Sequence, residues 1–398
     1  MIERQTYLQQ VINFKDSEFI KVITGVRRCG KSYLLMMYRD YLLSNGILEE
    51  QIIYLNFESF ETSEIQTAPE FHGYLKKHIH SQDKTYLLLD EIQYVEDWQK
   101  VVNSARIEFD CDITITGSNA NMLSGELATL LSGRYIEIKM YPFSFKEFLL
   151  ARFGEEYEAR KLNQFFNEYI RYGGFPSVVL SDESMKESIL SGIFDTVILN
   201  DVASRGQIRE LESLKRVVSY LAGNVGQLVS TLNISNALNS ANIKVTHPTV
   251  NRYLDLMKSA YLLYGAHRYD IRGKQYLTQQ EKYYLIDSGL RHIMLGRKQD
   301  NRGQELENIV YIELLRRGYE VQIGKYGEKE IDFIARKMDE IMYVQVMYEL
   351  PKNSTRESDN LLLIKDNFKK IIITQRLENE VEIDGIPIIN VIDWLLEE

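Results

Sequence analysis

The sequence predicts an α/β chain of several domains, opening with a parallel sheet built around a phosphate-binding loop. Three observations carry this. A β-rich run at residues 19–24 enters a glycine-bounded loop, Gly25 to Gly30, and a helical pattern follows over 32–43. Further strand candidates at 52–56, 86–90, 113–116 and 135–140 are separated by room for helices, the alternation a parallel sheet produces. The chain has 398 residues, more than twice the usual single-domain allowance of roughly 150.

Composition narrows the classes further. Hydrophobic residues make up 44% and charged residues 26%, which excludes a disordered or collagen-like chain. With 47 Lys and Arg against 57 Asp and Glu the net charge is −10, so any nucleic-acid contact must come from a local basic face. Two cysteines, Cys29 and Cys111, make no disulfide framework and no CxxC zinc pair. No apolar run approaches the roughly 18 residues of a membrane span. A soluble, cytoplasmic protein without a membrane partner is expected.

Taken in order, the elements suggest four segments. Residues 1–142 hold the parallel-sheet domain. Residues 143–220 read as a helical connector, broken at Gly173, Gly174 and Pro176. In 221–297, amphipathic helices at 228–238 and 248–259 flank a turn at 240–247. Two β-rich runs follow, 261–269 and 275–287, around Arg272 and Gly273, which is the layout of a winged helix. In 298–398 a helix at 305–316 precedes strands at 320–323, 331–335, 341–348 and 371–374.

Gly25, Val26, Arg27, Arg28, Cys29, Gly30, Lys31 and Ser32 fit GxxxxGK[ST] at every fixed position, between a strand and a helix as the motif requires. Glycines let backbone N–H groups close around phosphates, Lys31 reaches the β and γ phosphates of ATP, and Ser32 offers a hydroxyl to Mg2+. Tyr33, next in the helix, joins the nucleotide-binding set. The run Leu87-Leu88-Leu89-Asp90-Glu91 is an apolar strand ending in two carboxylates: Asp90 completes the Mg2+ shell and Glu91 polarises the attacking water. Ser118 or Asn119, ending the strand of the TITGSN run, is a candidate γ-phosphate sensor, against the alternative of a polar turn and helix cap. Arg134, after a helix expected at 126–131, is a candidate charge stabiliser for its own or a neighbour's nucleotide, against a surface salt bridge.

The boxes GVRRCGKS, LLLDEIQ, ITGSN, LSGR with PFSFKEF, YGGFP at 172–176 and EIDF at 330–333 resemble those of AAA-superfamily ATPases that carry a C-terminal domain of unknown function. The resemblance spans nearly the whole chain. It implies an additional-strand P-loop fold, a winged-helix segment and a nuclease-like terminal domain, and it supplies no defined substrate.

Residues 244–282 carry Lys244, Arg252, Lys258, Arg268, Arg272, Lys274 and Lys282 against Asp255, Asp270 and Glu281. Duplex DNA is the candidate partner here: Thr249, Asn251 and Arg252 would face bases and Arg268, Arg272 and Lys274 phosphates. A protein-interaction role is the alternative. In the last block Glu307, Asp332 and Gln345-Val346-Met347 resemble the layout of the PD-(D/E)xK nuclease fold, with two key groups altered. Gln345 is neutral and Met347 has no ammonium, so lost cleavage is expected unless Lys325 or Lys329 substitutes. Cys29, inside the loop, is either a thiol made oxidisable by amide dipoles or a small packed residue. The favoured reading is a Mg2+-dependent ATPase switch coupled to the winged-helix and nuclease-like modules, with a homo-oligomer as a candidate assembly. The alternatives are a DNA-binding regulator that holds ATP and an ATP-gated nuclease.

Overall fold

The computed structural model describes residues 4–79, 83–123, 133–296, 301–350, 356–378 and 381–397, and of 278–279 and 356–358 the backbone alone. The chain divides into two compact units. The first is Met1–Tyr141 with Ser259–Tyr261, and the second is Pro142–Lys258 with Leu262–Glu398.

The first unit is a five-stranded parallel sheet of β1 (Ile20–Thr24), β2 (Ile52–Asn56), β3 (Thr85–Asp90), β4 (Cys111–Gly117) and β5 (Tyr135–Lys139), in the order β2-β3-β4-β1-β5. β4 lies between the loop strand β1 and the acidic strand β3, the additional-strand arrangement. Strands β1 and β3 are buried along their whole length, as a sheet covered on both faces requires. Alternate residues Val22, Leu87, Leu89, Ile113 and Ile115 enter one core with Phe71 and Leu75 of helix Ala68–His78 and Trp98, Val101 and Val102 of helix Trp98–Glu108. Lys21, pointing the other way, stands 5.9 Å from the Tyr38 ring centroid of helix Lys31–Ser44. The helix expected at 126–131 lies outside the described residues.

The second unit begins with helices. Ser144 and Glu147 form a reciprocal capping box on helix Phe145–Phe153, which accounts for the SFKE part of the PFSFKEF box. Phe145 packs on Phe166 and Tyr169 of helix Leu162–Tyr172. The chain breaks at Gly173 as expected, and the Phe143 N–H donates to the Gly174 carbonyl at 2.7 Å. Gly174 in turn donates at 2.7 Å to Asp287, whose carboxylate also caps helix Ser288–Leu295. The YGGFP box is therefore a receptor for a buried carboxylate 113 residues away.

A nine-stranded sheet completes this unit, with strands β6 (Leu228–Val229), β7 (Leu263–Asp270), β8 (Gln275–Leu285), β9 (Glu320–Tyr326), β10 (Lys329–Lys337), β11 (Glu340–Met347), β12 (Lys369–Thr374), β13 (Glu382–Ile383) and β14 (Ile386–Asn390). Their order is β13-β14-β12-β11-β10-β9-β7-β8-β6. The helix expected at 228–238 is shorter: Leu228 and Val229 pair with β8, and the Ser230 side chain caps helix Thr231–Ser240. Helix His247–Ser259 and the β7–β8 hairpin follow. The hairpin is no free tip, because β7 pairs in parallel with β9 and joins the sheet of the last hundred residues.

Candidate nucleotide site

The loop that follows β1 folds only with glycine at its first position. Gly25 has φ +149°, and a Cβ there would lie 2.2 Å from the Met140 carbonyl oxygen. Gly30, at φ +109°, precedes the first turn of helix Lys31–Ser44. A helix N-terminus reached through such a loop attracts phosphate by its unpaired N–H groups and its dipole. Buried Arg4 braces the loop, donating to the Cys29 carbonyl at 3.1 Å and the Tyr141 carbonyl at 2.8 Å, and stacks on Tyr7. Nothing in the sequence pattern pointed to Arg4. Cys29 is wholly buried, and burial raises its pKa, which corrects the oxidisable-thiol alternative.

Lys31, 3% exposed, donates to the carbonyls of Gly25 at 3.2 Å and Val26 at 3.3 Å and pairs with Glu91 Oε1 at 3.2 Å. Burial works to lower the Lys31 pKa, and the Glu91 carboxylate more than reverses it, so the net shift is upward. Glu91 mirrors this. Burial would raise its pKa, while the Lys31 ammonium and the Gln93 amide hold it below the ordinary value. Asp90, fully buried at the end of β3, takes hydrogen bonds from Ser32 and from Thr116 Oγ1 at 2.6 Å, with the Tyr54 hydroxyl at 3.3 Å. A serine hydroxyl hydrogen-bonded to a carboxylate beside a phosphate cradle is a donor set that fits Mg2+, which takes one or two protein oxygens and fills the rest with phosphate and water.

The remaining expected residues separate. Arg27 is turned to Glu58 at 2.5 Å and the Tyr94 hydroxyl at 2.8 Å, while Arg28 and Tyr33 are exposed. Asn119 caps the turn Ala120–Leu123, its side-chain oxygen accepting the Asn121 N–H at 3.0 Å, which is the cap alternative of the sequence reading. Arg134 precedes β5 beside Ile20, whose N–H its carbonyl accepts at 2.9 Å, whereas the loop leaves the far end of β1 after Thr24. Five residues of strand put it roughly 16 Å from the loop. This corrects the placing of Arg134 in its own subunit's site.

An AAA domain model matches residues 17–149, and a model described as "Domain of unknown function (DUF8612)" matches residues 163–301. An uncharacterized protein of Haemophilus influenzae is 57% identical over 398 residues, covering 100% of this chain and 99% of its own. A second, from Methanocaldococcus jannaschii, is 33% identical over 350 residues, 85% of this chain and 77% of its own. The chain belongs to this family of AAA-domain proteins. A solved Walker-type ATPase of Pyrococcus abyssi is also similar, with TM-score 0.48 and 14% identity over 74% of this chain and 96% of that one. The family's AAA domain is a nucleotide-binding P-loop domain, and the match includes Lys31, Ser32, Asp90 and Glu91.

In this family member the second unit departs from the sequence reading in several places. Arg252, expected at base edges, bonds its guanidinium to the Gly206 carbonyl at the end of the π-helical stretch Val197–Ser204. Lys258 pairs with Glu281 at 2.9 Å. Lys282, counted with the basic stretch, is buried and pairs with Glu307 at 3.0 Å and Glu330 at 2.9 Å, and the Tyr284 hydroxyl donates to Glu307 at 2.7 Å. The lysine beside Glu307 is thus Lys282 from β8, in place of Lys325 or Lys329. Asp332 accepts the Val346 N–H at 2.8 Å, and Met347 is buried. Among the described residues no group of three or more His, Cys, Asp or Glu is arranged to hold a metal, and no helix is long and apolar enough to cross a membrane.

Proposed function

We propose that this chain is a Mg2+-dependent ATPase whose nucleotide state sets the posture of the second unit, read as a winged-helix and nuclease-like recognition module. The observation that carries the hydrolytic part is the convergence of Lys31, Ser32, Asp90 and Glu91 where β1 and β3 end. Mg2+, held by Ser32 and Asp90, would neutralise charge across the β and γ phosphates when bound. Lys31 leaves Glu91 and two loop carbonyls for the terminal phosphates, so its ammonium exchanges one set of oxygens for another. Glu91, released on one oxygen, orients water and accepts its proton. The test is turnover by the full-length protein with Mg2+ and with EDTA, beside Glu91→Gln. That variant should bind ATP and hydrolyse it about 10²-fold or more slowly; wild-type turnover in it would remove Glu91 as the base.

A second reading, a DNA-binding regulator that holds ATP, is favoured by one feature: Lys244, Arg272 and Lys274 are all exposed. ATP turnover measured with and without duplex DNA separates the two readings.

A further inference from the structure

The roles above leave Gln93 without one. Each carboxylate oxygen of Glu91 has its own donor: Lys31 Nζ on Oε1, and Gln93 Nε2 on Oε2. The same Gln93 Nε2 lies 3.3 Å from Ser118 Oγ, the residue that follows β4. Gln93 Oε1, by contrast, is buried without a hydrogen-bond partner. A buried unpaired amide oxygen is a cost that an apolar side chain of equal size would avoid, so what the site retains in glutamine is the N–H. Space for it is reserved on β4, where a Cβ on Gly117 would stand 2.7 Å from Gln93 Oε1 and 1.8 Å from Met122 Sδ.

The backbone of Glu91 is tied to the same strand. Its φ is +52°, a left-handed conformation that costs a non-glycine residue energy, and its N–H donates at 2.9 Å to Thr116 Oγ1. Thr116 lies in β4 and Ser118 in the bend directly after it. One holds the Glu91 backbone directly and the other reaches its carboxylate through Gln93.

Resting on the ATPase reading, we propose that Gln93 is the positioning residue of Glu91: it fixes the carboxylate for water activation and ties it to the end of β4 through Ser118. When Lys31 turns to the phosphates, Gln93 is the donor that remains on Glu91.

Gln93→Met keeps the side chain's length and removes the donor. In steady-state ATP hydrolysis by the full-length protein its kcat should fall roughly 10- to 100-fold, while KM and the Kd for ATP stay within about threefold. Ser118→Ala should lower kcat less, and the double variant should be no slower than Gln93→Met alone, because Ser118 acts through Gln93. Retained ATP affinity shows at once that the site is folded. A kcat within twofold of wild type in Gln93→Met, a parallel loss of affinity and turnover, or additive losses in the double variant would each overturn the proposal. Glu91→Gln, run alongside, keeps the two failures apart. If it is inactive while Gln93→Met is not, the positioning role falls and the ATPase reading stands. If Glu91→Gln turns over like wild type, both fall.

Discussion

Lys31 spends its ammonium on three oxygens of its own chain, and each of those bonds must be exchanged when phosphate arrives. Lys31→Ala loses a compact charge that nothing else in the loop supplies, so ATP affinity should drop about 100-fold or more, measured by titration calorimetry. A different lysine serves the fold. Lys21 and Asp112 form a wholly buried ion pair at 2.5 Å, and Asp112 also accepts the Asp16 N–H. Asp112→Ala strands the ammonium and should cost about 3–5 kcal/mol in denaturant unfolding, while Lys21→Met with Asp112→Asn should recover most of it. Asp287 gives a pH signature. Burial pushes its pKa from 3.8 to about 6, against the N–H groups of Gly174, Leu290 and Gly289. A raised folded pKa means that the unfolded chain ionises more readily, so the stabilisation present below pH 3.8 is lost as pH rises through about 6. Wild type should therefore gain about 1.4 kcal/mol between pH 7.5 and pH 5, relative to the change in Asp287→Asn, in thermal melts.

At the scale of elements, β1 and β3 were legible because strands buried on both faces leave continuous apolar runs, and the partly buried edge strand β2 matches its expected span residue for residue. The loop was legible from its two glycines and Gly30-Lys31-Ser32, which no other part of the chain imitates. Helices Ala68–His78 and Trp98–Glu108 went unassigned, although the first has a Thr67 capping box with Glu70, because the strand alternation only required room for them. Leu228 and Val229 read as helix because two residues carry no period, and only their pairing with β8 makes them strand. Ion pairs between distant segments were equally hidden: nothing near Lys282 in sequence distinguishes it from the exposed Lys274. The position of Arg134 follows from strand direction, which a sequence pattern leaves open. At the start of β5 it has no phosphate of its own loop to meet, so Arg134→Ala should leave ATP affinity within twofold of wild type in the same titration.

For the whole molecule, whose net charge is −10, the exposed cations of 244–282 are the candidate contact for duplex DNA. If they bind it, log affinity should fall linearly with log salt, and Arg272→Ala with Lys274→Ala should flatten the slope by about two units, in anisotropy titrations. Lys282→Met should leave the slope unchanged, since its charge is already taken by Glu307 and Glu330. The parallel pairing of β7 with β9 reaches further still. Through it one sheet gathers strands from residue 228 to residue 390, so neither the hairpin nor the last hundred residues owns a complete set of edges. A chain ending at 297 would present β7 as a bare edge, a template for self-association. The pairing also constrains exchange: the final hundred residues cannot be replaced by another domain unless that domain supplies a partner for β7.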